Sequence, residues 1–400
     1  MPSFEEARTI ILDHVAPLGA ERVALLDAVG RVLAEDVASP SDFPAWDNSA
    51  MDGYAVRAAD AAGGAALPLS AYLPAGAPGA APLAPGTAAK ILTGAPLPAG
   101  ADTVVPFEHA VEEGAAVRAV GPVSAGANVR RRGEDLRAGE VAISAGTVVG
   151  PAEVSWLATA SRLSVPVHRR PRVAVVSTGD ELVPPGEPLG PGKIHDSNAF
   201  ALAAAVRLAG GEPVLLGIAR DDREALRERL AEGLRADALV TSAGVSVGDR
   251  DHVREVLAAL EVRQVFWKVE VRPGGPTAFA VRGATPVFSL PGNPVATLLV
   301  FDQLVRPAIL KLAGRRAVLR PVVRAVFQED LRRRAGRAGF VRVRLERRGG
   351  ALLAFSAGVQ DTGILRTSLR ADGLAVVSAD QGDLHPGTPL DVQILGGDLA

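Results

Sequence analysis

RVAVVSTGDEL, Arg172–Leu182, is the stretch from which the fold of this chain can be read. An apolar run, "RVAVV", closes on Ser177, Thr178 and Gly179, the pattern of a buried strand ending in a loop. Outward from it comes a helical stretch from Ser197 to Leu208, with Ser197 or Asn198 as its expected N-cap and Gly210-Gly211 as its stop. "PVLLGIA" (Pro213–Ala219), a helix from Arg223 to Leu234, "ALVTS" (Ala238–Ser242) and "HVREVLAAL" (His252–Leu260) continue the alternation. Strands alternating with helices predict a parallel α/β sheet, here a domain over 169–314.

The flanks have other textures. Phe4, Ala7, Ile11 and Val15 fall near helical spacing, and "RVALLDAVGRVLAEDV" carries a second apolar stripe. From Pro40 to Gly139 short apolar runs are broken by Gly and Pro, which predicts a β-rich module with few helices. "GTVVGPAEVSWLATA" (Gly146–Ala160) reads as a helix entered through Pro151. If the β-rich module (41–139) is an insertion, residues 1–40 and 140–168 form one linking and dimerisation segment around it. Beyond Arg320, short strands with Gly or charged turns predict a C-terminal β domain over 318–400.

Bulk composition narrows the function. At 400 residues the chain exceeds what one hydrophobic core usually serves, so several domains are expected. A formal net charge of -2 gives no overall basic field for nucleic acid or an anionic membrane, so any anion must be caught locally. The chain has no cysteine, which excludes disulfides, thiolate ligands and a Cys nucleophile and fits a reducing compartment. The acidic, amphipathic start "MPSFEEARTIILDHV" lacks a signal-peptide pattern, and no apolar run approaches a membrane span; the expectation is a cytoplasmic protein.

In an open parallel sheet, ligands bind beyond the carboxyl ends of the strands. The loops there hold Ser177, Thr178, Gly179, Asp180 and Glu181; then Asp221 and Asp222; then Gly244, Ser246, Gly248, Asp249 and Asp251. Asp, Ser and Gly are ordinary loop and cap residues, and one such loop would mean little. Carboxylates crowded on one edge repel unless a cation or ligand sits among them, and oxygen donors without His or Cys suit Mg²⁺ and a phosphorylated substrate. A fourth loop, Pro291-Gly292-Asn293-Pro294, starts a helix at the same edge. Lys268 and Arg272 in "WKVEVRPGGPTAFA" are expected on one face of an alternating strand. Neither GxxxxGK[ST] nor GxGxxG occurs, and the six His show no metal spacing. In the β-rich module, "NVRRRGEDLRAGE" (Asn128–Glu140) reads equally as a solvated charge run.

Taken in order, "DNSAMDGYAV", "LTGAPLPAGADTVV", "RRRGEDLRAGE", "VVSTGDEL", "SAGVSVGDRD", "RPGGPTAFA" and "LPGNPVATLLVF" resemble the motifs of the molybdopterin molybdenumtransferase family, the MoeA-type enzymes and the gephyrin E domain. The resemblance implies insertion of molybdenum from molybdate into adenylylated molybdopterin with Mg²⁺-dependent release of AMP. It also implies an elongated homodimer in which the β-rich module of one subunit lies over the α/β edge of its partner.

Matched by motif position, Asp52, Thr93, Arg130, Asp135, Glu181, Asp221 and Asp251 resemble the family's active-site polar residues. Glu181, Asp221 and Asp251 would hold Mg²⁺ and serve pyrophosphate cleavage. Lys268 and Arg272 would hold the pterin phosphate or molybdate, with Pro291, Gly292, Asn293 and Pro294 as the wall beside them. Ser177, Thr178, Gly179, Asp180, Ser246 and Gly248 would contact substrate.

The chain departs from the family pattern at Arg272 and Gly275, where lysines are typical, at Ala243, where Gly is usual, and at Ala296, where Ser is frequent. One oxyanion donor is therefore expected to be missing at Gly275. Arg342 and Thr362 are candidates to reach the site from the C-terminal domain. Two further readings stay open: a pterin-nucleotide binder or scaffold without turnover, and an adenylyltransferase for molybdopterin.

Overall fold

A computed structural model describes residues 1–76, 81–244 and 252–396. The chain forms two compact units, one from Met1–Ala34, Gly146–Pro151 and Ser164–Ala400, the other from Glu35–Ala145 and Ala152–Leu163. The strands Ala20–Ala24 and Ser164–His168 pair antiparallel inside the first unit, so the chain leaves that unit and returns to it around an inserted stretch.

The α/β sheet has six strands in the spatial order Glu212–Ala219, Arg172–Thr178, Ala238–Ser242, Thr285–Leu290, Ala278–Arg282, Arg263–Phe266. The first four are parallel, as the alternation predicts; Ala278–Arg282 pairs antiparallel with Thr285–Leu290, and Arg263–Phe266 in turn pairs antiparallel with Ala278–Arg282. Only Gly283 and Ala284 separate Ala278–Arg282 from Thr285–Leu290, too few residues for a crossover helix, so these two strands must form a hairpin. The sheet is therefore mixed rather than wholly parallel.

Alternation of side chains along Arg172–Thr178 serves two cores at once. Val173 and Val175 pack with Leu202 and Val206 of the helix Ser197–Leu208 and with Phe301, Val305 and Ile309. Ala174 and Val176 face the other way, against Leu226 and Leu230 of Arg223–Gly233 and Val253 and Leu257 of Val253–Ala259. Each fully buried aliphatic side chain contributes about 1.5–3 kcal/mol relative to exposure, which explains the near-continuous apolar strand.

Caps fix where those helices start. Asp196, rather than Ser197 or Asn198, caps Ser197–Leu208, accepting from the Ala199 N–H at 3.1 Å. Asp222 caps Arg223–Gly233, accepting from the N–H groups of Glu224 and Ala225 at 3.0 Å each. The amino-terminal helix Phe4–Asp13 has a capping box, in which Ser3 and Glu6 bond each other's backbone N–H. Its buried face, Phe4, Ala7 and Ile11, joins the α/β core.

Val322–Phe327, Ala338–Arg348, Ala351–Ser356, Gly373–Val377 and Pro389–Ile394 close into a five-stranded barrel, because Gly373–Val377 pairs with both Pro389–Ile394 and Ala338–Arg348. The short strand Val271–Arg272 runs parallel to the start of Ala338–Arg348, with Val271 opposite Ala338 and Arg272 opposite Gly339. This ladder joins the α/β domain to the barrel next to the "RPGGP" loop.

The second unit carries a six-stranded sheet in the order Thr103–Pro106, Gly53–Val56, Ala88–Ile91, Ala66–Leu73, Ala116–Ala119, Ala110–Glu113. Gly53 is obligatory there: a Cβ would lie 2.1 Å from the Val105 carbonyl oxygen. No helix among the described residues is long and apolar enough to cross a membrane.

Candidate active site

At the carboxyl edge of the α/β sheet lies a hollow of about 510 Å³ with Thr178, Glu181, Asn198, Ser242, Gly292 and Pro294 in its wall. A second hollow of about 780 Å³ is lined by Arg272, Gly275, Arg334, Arg337, Asp361 and Thr362 among others. Pro276, Pro291 and Asn293 line both, so the two are chambers of one cleft.

Three loops are stitched together at the first chamber. Asn198 Nδ2 donates to Ser242 Oγ and to the Gly292 carbonyl, each at 2.8 Å. The start of one helix is thereby tied to the end of the strand Ala238–Ser242 and to the PGNP turn. Glu181 is held from its backbone: its carbonyl accepts from the Ile194 N–H at 2.9 Å, inside the small ladder between Leu182–Val183 and Ile194–His195. Ala243 has φ +70° at the rim, a left-handed conformation that favours glycine, and an added Cβ at Gly292 would stand 3.4 Å from the Ala243 Cβ.

The second chamber is built jointly by the α/β domain and the barrel. Gly274 has φ +108°, and a Cβ on it would lie 2.4 Å from Val300 Cγ2, so only glycine lets the loop lie on the helix Pro294–Val300. Asn293 Nδ2 donates to Thr362 Oγ1 at 3.1 Å, which brings the expected Thr362 into the wall. Arg342 instead is buried, with burial lowering its pKa, and donates to the carbonyls of Val359 and Asp361. It therefore holds the 359–361 loop.

Several expected residues sit elsewhere. Ser177 is fully buried in the sheet and its hydroxyl has no partner among the described residues, so it does not face the cleft. Gly179 and Asp180 stand in the loop below Glu181, and Asp180 Oδ1 accepts from the Asp221 N–H at 3.3 Å. Lys268 is exposed in irregular chain between Arg263–Phe266 and Val271–Arg272, so the alternating strand expected to carry both cations does not form. Only Arg272 of that pair lines the cleft. Ser246, Gly248, Asp249 and Asp251 lie outside the described residues.

Mg²⁺ normally takes one or two carboxylates plus substrate phosphates and keeps several waters, so it needs no all-protein cage. Glu181 supplies a hard oxygen donor of that kind to the first chamber. Among the described residues no three His, Asp or Glu side chains come together as a metal site. The donor chemistry present fits Mg²⁺ held against a phosphate.

In the second unit, Asp52 Oδ1 accepts from both the N–H and the hydroxyl of Thr93, at 2.7 Å each. Those two bonds hold the Asp52 carboxyl below its ordinary pKa, the backbone bond first. The arginine run divides. Arg131 pairs with Asp47 at 2.7 Å and Arg132 with Asp42 at 2.6 Å, both structural. Arg130 and Asp135 have no side-chain partner among the described residues.

Sequence reasoning missed Arg334 and Arg337. The run "RRRAGR" (Arg332–Arg337) was a signal, but it points to the cleft only through the strand pair at Val271 and Ala338.

A mixed α/β domain with its cleft at the loop ends, in a chain that also holds an inserted β-rich unit and a closed barrel, defines a multidomain protein with a molybdopterin-binding type of domain. Residues 174–311 match the family model described as a probable molybdopterin binding domain. Residues 2–161 match the MoeA N-terminal region (domain I and II), and 324–395 the MoeA C-terminal region (domain IV). The chain is 42% identical over 343 residues to molybdopterin molybdenumtransferase of Nostoc sp., covering 82% of this chain and 79% of that protein. It is 36% identical over 405 residues to molybdopterin molybdenumtransferase 2 of Mycobacterium tuberculosis, covering 98% and 99%. A crystal structure of the molybdopterin biosynthesis MoeA protein of Pyrococcus horikoshii superposes with a TM-score of 0.84 at 32% identity, over 99% of each chain. The chain belongs to the molybdopterin molybdenumtransferase family.

Proposed function

We propose that this enzyme of molybdenum cofactor biosynthesis inserts molybdenum from molybdate into adenylylated molybdopterin and releases AMP in an Mg²⁺-dependent step. The observation that carries the proposal is the double cleft: a chamber with Glu181 opens into a chamber with Arg272, Arg334 and Arg337 across the shared Pro276, Pro291 and Asn293. A pyrophosphate-linked nucleotide and a metal oxyanion need such adjoining places, one for phosphates with their cation and one rich in positive charge.

In this reading Asn198 fixes the geometry of the first chamber by holding Ser242 and Gly292, so that Thr178 and Glu181 meet the substrate without reorganisation. Water attacks one phosphorus of the pyrophosphate, the bridging P–O bond breaks, and AMP leaves. Glu181, with Asp251 and Asp221, would hold Mg²⁺, which when bound neutralises charge developing on the phosphate oxygens. Arg272 keeps the oxyanion beside the pterin sulfurs. Asp52, ionised through Thr93, would with Arg130 and Asp135 offer polar groups to substrate from the β-rich module. A homodimer and a cytoplasmic location complete the proposal.

Purified protein given adenylylated molybdopterin, molybdate and Mg²⁺ should release AMP and yield cofactor that reconstitutes a molybdoenzyme. Release of AMP that is indifferent to Mg²⁺, or no release at all, would refute it.

A further inference from the structure

We propose that a slot between the helix Val253–Ala259 and the antiparallel edge of the α/β sheet is a second ligand site, fitted to a flat aromatic carboxylate whose ring enters the slot and whose charge meets Arg254. The site is separate from the double cleft and does not rest on the proposed function.

The slot has a volume of about 210 Å³. Ala278, Ala280 and Val287 of the sheet form its floor, and Leu257, Ala258 and Val262 its remaining walls. Ala280, Val287 and Leu257 belong to the core on one face of the sheet, whereas Asn198 and Pro294, which wall the first chamber of the cleft, start helices packed on the other. The slot shares no lining residue with either chamber.

The room comes from alternation along one strand. In Ala278–Arg282, Phe279 and Val281 fill the core that holds Phe266 and Phe288, while Ala278 and Ala280 point the other way. Ala258 on the helix is equally small. Interiors are otherwise close-packed, and an apolar hollow under a helix weakens a fold unless a guest fills it. A cavity of about 150 Å³ holds one benzene-sized guest, so this slot has room for a substituted ring or a fused pair.

Polar groups mark its two sides. Toward the middle of the sheet, Ser289 lines the slot and is only 2% exposed. Its ladder partner Thr241 is fully buried, and the Thr241 hydroxyl has no partner among the described residues. At the edge strand, the exposed Arg254 guanidinium lies 5.1 Å from the centre of the Trp267 ring and forms no ion pair among the described residues. A guanidinium stacked on an aromatic face keeps its N–H edge free for a carboxylate. A neutral ring would leave that cation unmatched, and a small free anion would leave the alanine walls unfilled. An aromatic carboxylate meets both.

The test titrates the full chain calorimetrically with 2-naphthoate, 2-naphthamide and acetate. The naphthoate should bind saturably, the neutral amide roughly tenfold more weakly for want of the charged partner, and acetate not at all. With 5-fluorotryptophan at the three tryptophan positions, the ¹⁹F signal of Trp267, assigned with Trp267→Phe, should shift on binding while those of Trp46 and Trp156 stay. Arg254→Ala should bring naphthoate down to the affinity of the amide, and Arg254→Lys should keep most of the difference. Ala280→Leu fills the floor and should abolish binding; where overpacking stops that variant from folding, Ala258→Leu closes the slot from an exposed helix position.

No saturable binding of naphthoate, equal affinity for acid and amide, a Trp267 signal that stays in place, or binding that survives Ala258→Leu overturns the proposal. AMP is then added to the naphthoate complex. Unchanged naphthoate affinity supports a separate site, and displacement by AMP would return the slot to the substrate cleft and overturn the inference.

Discussion

Asn198 donates from one amide nitrogen to the Ser242 hydroxyl at 2.8 Å, and to the Gly292 carbonyl at the same distance, joining three loops that arrive from distant parts of the sequence. Asn198→Ala leaves both acceptors without that donor at the mouth of the cleft. Such a loss costs about 1–3 kcal/mol where the acceptors are shielded from water. Urea unfolding should show a destabilisation of that size, and kcat for AMP release should fall further than KM rises, because the residue positions other groups and need not touch substrate. A fall in substrate affinity with kcat intact would mean that Asn198 acts as a ligand.

Ala243 sits at φ +70° beside Gly292. An L-residue in that region costs roughly 1–2 kcal/mol, while glycine gives back about 0.5–1 kcal/mol in chain entropy. Ala243→Gly should therefore stabilise the protein by up to about 1 kcal/mol, seen as a higher urea midpoint at unchanged m-value. A lower midpoint would show that the methyl group's packing outweighs the strain.

How much of this was legible in the sequence differs by element. The buried strand Arg172–Thr178 and the helix Ser197–Leu208 could be read because an apolar run and a Gly-Gly stop are local signals. The antiparallel edge escaped, because "VRGATPV" shows its two-residue turn only once Ala278–Arg282 and Thr285–Leu290 are known to be neighbours. Motif loops gave Thr178, Glu181 and the PGNP turn, whose chemistry is local. Ser177 was misplaced because facing in or out depends on the strand's phase: Val173 and Val175 share its parity and face the core with it. Arg337 was invisible for a different reason. Its place beside Gly275 is set by a ladder between residues 271 and 338, and no periodicity reports a pairing that distant.

Arg169 and Asp237 form a two-pronged ion pair, at 2.9 and 2.5 Å, at the amino end of the α/β sheet, and Asp237 also accepts from the Arg172 N–H at 2.8 Å. Burial alone would raise the Asp237 pKa, but the bonds from Arg169 and Arg172 outweigh it and the carboxyl ends below its ordinary value. The unfolded chain titrates near the usual aspartate value of about 4. The pair therefore stabilises the native state fully above that pH and loses its contribution as pH falls through the lower folded value. Asp237→Asn should flatten the acid limb of the stability profile in this window and lower stability at neutral pH by about 1–3 kcal/mol. An acid limb identical to wild type would show that the pair carries no linkage.

Asp52 owes its lowered pKa to two donors from one residue, and only one of them can be removed by mutation. Thr93→Val keeps the backbone N–H and deletes the hydroxyl at nearly equal volume. A hydrogen bond to the ionised form is lost, so the Asp52 pKa must rise toward the ordinary aspartate value. Carboxyl ¹³C NMR should follow that rise directly. If the Asp52 carboxylate serves AMP release, the acidic limb of kcat/KM moves to higher pH in Thr93→Val by the same increment, and Asp52→Asn removes the limb while lowering the rate. A pKa that moves in the spectrum with a rate profile that stays in place would leave Asp52 as the brace of the Thr93 turn and nothing more, because a group whose protonation the reaction never registers takes no part in it.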